Sequence, residues 1–384
     1  MSRVHITLVG GQPAPVYHGI VATKPDKVVF IYSDDSQEVL ESLKKEVNIP
    51  IDEQKPLNPT DPVQILKRAK ELADKYKNDE LTLNISSGLK SWSHLFGVVF
   101  DKMENTEVVY MDQNNVLWNY KTMASCADFE FDMHTLFRLY GNPLVNYTPF
   151  EQYTDEDAKV MNEIEDIRLF NAKAFNSLVT VLDKNKQNQL SSQSEGRFNI
   201  DNNPSYVEWK KRNVKAGEKN DEVTLCLYNK KGQMKTKKFV SPHAFSLAFN
   251  SGWFEYKVAL MLSKWDKAKE ICLNCRFPSK IGLDKNEVDI IINTGKKILF
   301  VECKTQINSS TDIDKFRSVV KGYGGMGSKG LFVTDAKMSD FNREKCEERK
   351  ILPFSIETAK QWALAPEKAL ALFLDTDLFN INTK

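Results

Sequence analysis

Over the first 125 residues, short β-branched runs alternate with amphipathic stretches, and this alternation restricts the chain to few folds. The runs predict strands, and the stretches carry apolar residues at helical spacing. Strands that alternate with helices form a parallel sheet with helices on both of its faces. The predicted strands are Val4–Val9, Lys27–Tyr32, Leu81–Ile85 and Glu107–Met111, and the predicted helices are Gln37–Val47, Pro62–Tyr76 and Ser91–Met103.

The length of 384 residues exceeds one ordinary domain core, so we expect two domains. Residues 112–150 read as irregular and aromatic and end in turn residues, which puts the boundary near residue 150. We predict a first α/β domain at 1–150 and a second α/β domain at 151–384. The second domain contains a basic segment, 196–240, in which Trp209 to Arg212 read as a solvated amphipathic helix or as a surface for single-stranded nucleic acid.

Composition narrows the class of protein further. With 41% hydrophobic residues the chain is not disordered throughout, and no apolar run is long enough for a membrane helix. The first residues lack the layout of a signal peptide, and six scattered cysteines are too few for a disulfide framework, so we expect a reducing cytoplasm. Residues 1–150 carry 15 Lys and Arg against 20 Asp and Glu, so this part is net acidic. If the chain binds a polyanion weakly, we expect the remaining residues to bind it.

A cluster of acidic and basic residues follows two apolar runs within Gly282–Gln306. A two-residue turn at Thr294-Gly295 would make a hairpin in which Asp289 faces Phe300. Because side chains alternate along a strand, Asp289, Glu302 and Lys304 then share one face. Upstream, Glu255 lies on a predicted helix. The less specific interpretation is a surface hairpin that ends in charged residues.

Paired carboxylates beside a lysine suit metal-assisted cleavage of phosphodiesters. Carboxylates hold Mg²⁺ or Mn²⁺, which takes oxygen ligands, neutralises charge on the phosphate and lowers the pKa of a bound water. A nearby lysine can orient that water or stabilise the transition state.

These residues resemble the PD-(D/E)xK nuclease signature, with Val288 in place of the proline. The resemblance implies that Asp289 and Glu302 are metal ligands and that Lys304 is the catalytic lysine. It also implies that Glu255 completes the metal site, while Gln306 positions substrate or water.

Two loops of the first domain follow strands and suit an anionic ligand. One contains Gly11, Gln12 and Pro13, and the other runs through Ser86, Ser87, Gly88 and Leu89 to Lys90. Small hydroxyl residues, glycine and the free amides of a helix N-terminus make an anion site at the carboxyl edge of such a sheet. Ser33, after the second strand, is a further candidate. A capped helix after an ordinary strand is the alternative.

The second of these loops, Asn-Ile-Ser-Ser-Gly-Leu-Lys at 84–90, resembles the strand–helix turn of CARF domains, departing at Ser87 and Leu89. The glycine-rich first loop is similar to that of CARF proteins fused to PD-(D/E)xK nucleases. The resemblance implies an ancillary effector of type III CRISPR immunity that is activated by cyclic tetra-adenylate. It also implies a homodimer, because a two-fold ligand fits two copies of one loop pair.

Other interpretations stay open. The chain could be a ligand-responsive regulator that binds nucleic acid without cutting it, or an unregulated restriction or repair endonuclease. The substrate could be single-stranded DNA, duplex DNA that the protein nicks, or RNA. Glu287 is assigned to the opposite face of its strand from Asp289, and Cys272 with Cys275 reads as a buried pair and not as a zinc knuckle.

Overall fold

The computed structural model describes residues 1–112, 115–128, 130, 132–179, 193–249, 251–278, 287–307, 309–325 and 328–379. Residues 282–286, the start of the segment predicted to carry the acidic cluster, lie outside these ranges. None of the helices in the described ranges has the length and apolar character needed to span a bilayer.

A seven-stranded sheet organises the first domain, with strand order β3-β2-β1-β4-β5-β6-β7. Strands β1 to β5 are parallel, whereas β6 and β7 are antiparallel to their neighbours. The two antiparallel strands lie in the segment that the sequence predicts to be irregular, so that prediction is wrong. The strands were missed because they are too short to show a clear alternation of apolar and polar residues. The strands are Arg3–Leu8 (β1), Lys27–Ile31 (β2), Ile51–Asp52 (β3), Glu80–Asn84 (β4), Thr106–Met111 (β5), Val116–Asn119 (β6) and Ala124–Asp128 (β7).

Helices cover both faces of this sheet, as predicted. Ile6 and Leu83 pack with α3 and α4 on one face, whereas Val28 and Phe30 pack with α1 and α2 on the other. Burial of these apolar side chains is the main force that holds the layers together. The four helices are Pro13–Thr23 (α1), Gln37–Glu46 (α2), Pro62–Lys75 (α3) and Lys90–Phe100 (α4).

The rest of the chain builds two more sheets. A six-stranded mixed sheet has the order β17-β16-β15-β14-β13-β8, and a four-stranded antiparallel sheet has the order β12-β11-β10-β9. The strands are Asn146–Pro149 (β8), Glu195–Asn199 (β9), Tyr206–Lys210 (β10), Asp221–Tyr228 (β11), Met234–Ser241 (β12), Glu270–Arg276 (β13), Glu287–Asn293 (β14), Ile298–Lys304 (β15), Ser328–Thr334 (β16) and Ile351–Ser355 (β17).

Nine helices of this part flank the two sheets within the described ranges. The chain is therefore an α/β protein with a Rossmann-like first domain and a second α/β domain, as the sequence predicts. These helices are Met133–Leu139 (α5), Asp155–Phe170 (α6), Ala172–Val179 (α7), Ala244–Ala248 (α8), Gly252–Leu262 (α9), Thr311–Tyr323 (α10), Asp340–Glu348 (α11), Ile356–Ala359 (α12) and Pro366–Phe379 (α13).

The basic segment 196–240 folds mostly into the four-stranded sheet. Trp209 lies in β10 with 3% of its surface exposed and packs edge-on against Phe249. The helix predicted around it is wrong, because Val207 and Trp209 alternate inward at strand spacing. The buried indole is not available to stack on a nucleic-acid base.

Helix α5 joins the two domains. Met133 and Phe137 pack into the core of the six-stranded sheet, whereas Leu139 packs against the first domain. The Arg138 guanidinium also reaches Glu46 of α2, with 2.8 Å between Nε and Oε1. The chain then enters the six-stranded sheet at β8, just before the predicted boundary at residue 150. Strand β8 pairs there with β13.

Candidate active site and ligand cradle

The predicted carboxylates meet at the edge of the β14–β15 hairpin. The ladder pairs Ile290 with Val301, so its continuation sets Asp289 opposite Glu302. The predicted register, with Asp289 facing Phe300, is therefore wrong by two residues. The reason is a four-residue connection in which the Thr294 amide donates to the Lys297 carbonyl at 3.0 Å. A shift of two keeps every side chain on its predicted face.

Short contacts fix the three central residues. The Asp289 carboxylate accepts a hydrogen bond from the Cys303 amide, with 2.7 Å between Oδ2 and N. Lys304 Nζ lies 2.7 Å from Glu302 Oε1. All three side chains are half-buried, whereas Cys303 between them turns into the core with 2% of its surface exposed. The structure thus brings together the two acidic residues and the lysine that the sequence predicts.

Burial raises the pKa values of these carboxyl groups. The Glu302 pKa rises to about 7 because of burial and then of the Asp289 charge, while Lys304 opposes the rise. Burial also raises the pKa of Asp289, against the lowering effect of Lys304 and of the Cys303 amide. Burial alone would lower the Lys304 pKa, but Asp289 and Glu302 outweigh it and raise the value. A cation at this edge would relieve the repulsion between the carboxylates.

Helix α9 brings Glu255 to the same cluster. Its first turn is held close to α8 by Gly252, where any Cβ would lie 2.0 Å from the Ser246 carbonyl oxygen. The pKa of Glu255 is raised well above its usual range by burial and then by the charge of Asp289. Glu255 is therefore near enough to Asp289 for the two charges to interact.

Glu287 is a further acidic residue that the sequence analysis assigned to the wrong face. It lies two positions before Asp289 in β14, and residues two apart in a strand share a face. Burial raises the Glu287 pKa, Arg276 lowers it, and Asp289 raises it further. Arg276 Nη2 lies 3.3 Å from Glu287 Oε2. Gln306, by contrast, lies two residues past the end of β15 with its side chain exposed.

The donor set suits a hard divalent cation, since it consists of carboxylate oxygens with a lysine beside them. Among the residues that the structure describes, Glu255, Asp289 and Glu302 do not form a group whose oxygens all lie within 4.8 Å of one another. Mg²⁺ keeps several water ligands and needs only one or two carboxylates. Asp289 and Glu302, on neighbouring strands, meet that requirement.

In the first domain, the two predicted ligand loops touch each other. The Gly10 amide donates a hydrogen bond to Ser87 Oγ at 3.1 Å, and a Cβ on Gly10 would lie 2.7 Å from the Gly88 nitrogen. Gly88 has a φ of +80°, and a Cβ there would lie 2.8 Å from Leu8 Cβ. Both positions therefore require glycine. The contact creates one continuous backbone surface at the β1–β4 edge, where the strand order reverses.

Hydroxyl groups hold these loops in place. Ser86 Oγ donates to Asn84 Oδ1 at 2.5 Å and accepts from the Met111 amide at 2.8 Å. Ser33 is buried and forms a reciprocal cap with Ser36 ahead of α2. Ser86 thus shapes the backbone of the cradle, whereas Ser33 caps the turn before α2.

The remaining predicted contacts lie on or near the rim of the cradle. Gly11 and Lys90 are exposed, and Leu89 is 44% exposed at the residue before α4. Pro13 is buried as the first residue of α1. Gln12 Oε1 accepts a hydrogen bond from the Tyr140 hydroxyl at 2.8 Å, which links this loop to the segment after α5.

This fold and these loops define the class of the first domain. Residues 4–139 match the sequence model of the Card1 CARF domain. The first domain is thus a CARF domain with a Rossmann-like fold, and the resemblance predicted from its loops is confirmed. A search of curated proteins finds no match to the chain.

Solved structures share the fold of both domains in the same order. Can2 from Sulfobacillus thermosulfidooxidans, in complex with cyclic tetra-adenylate, is 16% identical with a TM-score of 0.66, over 97% of this chain and 98% of Can2. Protein VC1899 from Vibrio cholerae is 14% identical with a TM-score of 0.70, over 98% of each chain. A type III CRISPR defence DNA nuclease activated by cyclic oligoadenylate is 15% identical with a TM-score of 0.50, over 87% of this chain and 45% of that nuclease.

Proposed function

We propose that this chain is a metal-dependent nuclease of type III CRISPR defence that cyclic tetra-adenylate activates. The observation that carries the proposal is the meeting of Asp289, Glu302 and Lys304 at one edge of the β14–β15 hairpin. The similarity to Can2 in complex with cyclic tetra-adenylate supports the activator, and the similarity to a CRISPR DNA nuclease supports the output.

Asp289 and Glu302 would hold Mg²⁺ or Mn²⁺, with Glu255 completing the site from α9. When bound, the ion neutralises charge on the phosphate and lowers the pKa of a water ligand. Lys304 is positively charged at neutral pH and stands beside Glu302, so it stabilises the charge that develops on the phosphate oxygens. The Asp289–Cys303 hydrogen bond fixes the carboxylate before substrate arrives, which lowers the reorganisation that the reaction requires.

The ligand would bind where the Gly10 and Gly88 loops meet. Backbone amides, the N-terminus of α4 and the exposed Lys90 provide positive potential for phosphates. A cyclic tetranucleotide has two-fold symmetry, so we propose a homodimer that presents two such cradles to one ring. The ligand activates only if it binds the cleavage-competent arrangement more tightly than the inactive one.

DNA is the proposed substrate, either single-stranded or as a duplex that is nicked, and RNA is to be tested beside it. The cysteines support a reducing cytoplasm, since Cys226, Cys272, Cys275, Cys303 and Cys346 are all free and buried.

The test is a cleavage assay on single-stranded DNA, duplex DNA and RNA, with and without cyclic tetra-adenylate and Mn²⁺. We expect cleavage only when both are present. Lys304→Ala should remove it, and the matched control Lys321→Ala, an exposed lysine in the last turn of α10, should retain it. Ligand binding without cleavage of any polymer would favour a regulator, and equal cleavage without ligand would favour an unregulated endonuclease.

A further inference from the structure

A second group of metal-binding side chains lies away from the acidic cluster, where α5 meets β13. His134 stands in the first turn of α5, which Asp132 caps by accepting from the Thr135 amide at 2.8 Å. Glu270 and Cys272 lie two positions apart in β13 and so share one face of the sheet. One imidazole, one carboxylate and one thiol therefore converge from two separate parts of the chain.

The geometry of the three donors is close. His134 Nε2 lies 3.0 Å from Glu270 Oε1, and the nitrogen, the carboxylate oxygen and the Cys272 sulfur all lie within 4.8 Å of one another. Ligands about 2.0–2.3 Å from a tetrahedral zinc ion are roughly 3.5 Å apart. A small movement of the side chains would bring the three donor atoms to the spacing of zinc ligands.

One side of the site is buried in the core, and the other side is open to solvent. The Cys272 residue is 1% exposed, whereas the side chains of His134 and Glu270 are 25% and 35% exposed. The ring of Tyr147 packs 5.0 Å from the His134 ring and restricts its orientation. An ion could enter from the solvent side and keep a water as a fourth ligand.

We propose that His134, Glu270 and Cys272 bind Zn²⁺. Imidazole, carboxylate and thiolate are the ligands that zinc takes, and three protein ligands with one water is a common set. A hard ion such as Mg²⁺ does not suit a thiolate, so this site and the acidic cluster select different metals. The interpretation without a metal is a hydrogen bond between His134 and Glu270 beside a cysteine that packs in the core.

Zinc at this position would join the segment between the domains to the second sheet. Burial, followed by the charges of Glu270 and Glu151, raises the pKa of the Cys272 thiol to about 12. Zinc takes cysteine as the thiolate, so binding would release the Cys272 thiol proton to solvent.

The experiment uses the full chain, freed of metal and titrated with Co²⁺ as a spectroscopic probe and with Zn²⁺. A thiolate bound to Co²⁺ gives a charge-transfer absorption that carboxylate ligands do not give. We expect this band in the wild-type chain, its displacement by Zn²⁺, and its persistence in excess Mg²⁺. Asp289→Asn should leave the band unchanged, which separates this site from the proposed nuclease centre.

Cys272→Ser should abolish the band, and His134→Gln, at a half-exposed position that tolerates change, should weaken Zn²⁺ binding. Cys275→Ser is the matched control, since Cys275 lies in the same strand and core but outside the donor group. Circular dichroism checks that each variant folds. The absence of a thiolate band in the wild-type chain overturns the proposal, and so does a band that survives in Cys272→Ser.

Discussion

The two sites of this protein use opposite chemistry. The cradle of the first domain is built mainly from uncharged groups, namely backbone amides, glycines and serine hydroxyls, with Lys90 at its rim. At the open end of the β14–β15 hairpin, four half-buried or exposed carboxyl groups lie near Lys304. The first site is therefore already hydrogen-bonded without a ligand, whereas the carboxyl groups of the second raise one another's pKa values and would be stabilised by the cation that we propose.

The largest expected effect is on the charged site. Asp289→Asn keeps an acceptor for the Cys303 amide but removes the charge that a metal needs. Loss of an outer partner of a metal ligand costs about 10–100-fold in affinity or activity, so loss of a direct ligand should cost at least about 100-fold. Mn²⁺ binding and cleavage rate both measure this loss.

The control for that change is Asp266→Asn, because the Asp266 side chain is 82% exposed. We expect wild-type Mn²⁺ affinity in the control. Equal Mn²⁺ affinity in Asp289→Asn and the wild type would mean that the strand carboxylates do not hold the metal.

In the ligand cradle of the first domain, the next largest effect should come from a change that strains the backbone. Gly88→Ala places a Cβ 2.8 Å from Leu8 Cβ at a φ of +80°. The left-handed conformation alone costs a residue with a side chain roughly 1–2 kcal/mol, so with the clash the affinity for cyclic tetra-adenylate should fall about 30-fold. Calorimetry measures this affinity.

Gly97→Ala is the matched control within α4, where an added Cβ meets nothing within 4 Å. It should bind the ligand as the wild type does and stabilise the helix by about 0.5–1 kcal/mol. An unchanged affinity in Gly88→Ala would mean that the loop at Gly88 does not bind cyclic tetra-adenylate.

Acid should weaken the first domain through two buried histidines. Burial lowers the pKa values of His5 and His18 from 6.5 to about 3. The unfolded chain then binds more protons than the folded one between these values, so the stabilisation is present above pH 6.5 and is lost as the pH falls towards 3. Each histidine should cost about 1 kcal/mol between pH 7 and 5.5.

Hydrogen exchange of the β1 amides at the two pH values measures that loss. His5→Gln should reduce the pH dependence, whereas a change of the exposed His94 to Gln should not. Intrinsic amide exchange slows in acid, so the opening free energies are compared after correction for it. If they were equal at the two pH values, the buried histidines would not be neutral as their environment implies.

The smallest expected effect concerns the link between the two sites. Tyr140→Phe removes the hydroxyl that donates to Gln12 but keeps the ring, against which Gly325 is packed. One hydrogen bond contributes about 0.5–1.5 kcal/mol, so ligand-stimulated cleavage should fall by no more than about tenfold while ligand affinity is retained. The exposed Tyr120→Phe is the control, and a loss of affinity equal to the loss of cleavage would refute a coupling role.

Local patterns explain what the sequence predicted correctly. Strands β1, β2, β4 and β5 and helices α2, α3 and α4 follow from runs and periodicities a few residues long, whereas α1 was not predicted. Asp289, Glu302 and Lys304 stand in one short segment, and an error of two residues in the register keeps their face. The hairpin connection could not be predicted because Thr294 closes a wider loop than a two-residue turn.

Contacts between distant segments explain what was missed. Strand β8 pairs with β13 more than 120 residues later, and His134 meets Glu270 across a similar separation. No local pattern contains such a pairing. Glu287 is different, since strand alternation already puts it on the face of Asp289, and its omission was an error of interpretation.

In the proposed mechanism, ligand binding at the cradle controls cleavage at the acidic cluster of the second domain. The most direct measurement is the rate of DNA cleavage at fixed Mn²⁺ as cyclic tetra-adenylate is titrated against a known concentration of chain. We expect a rise that saturates at one ring for every two chains. A rate that is independent of the ligand, or no cleavage at any ligand concentration, would contradict it.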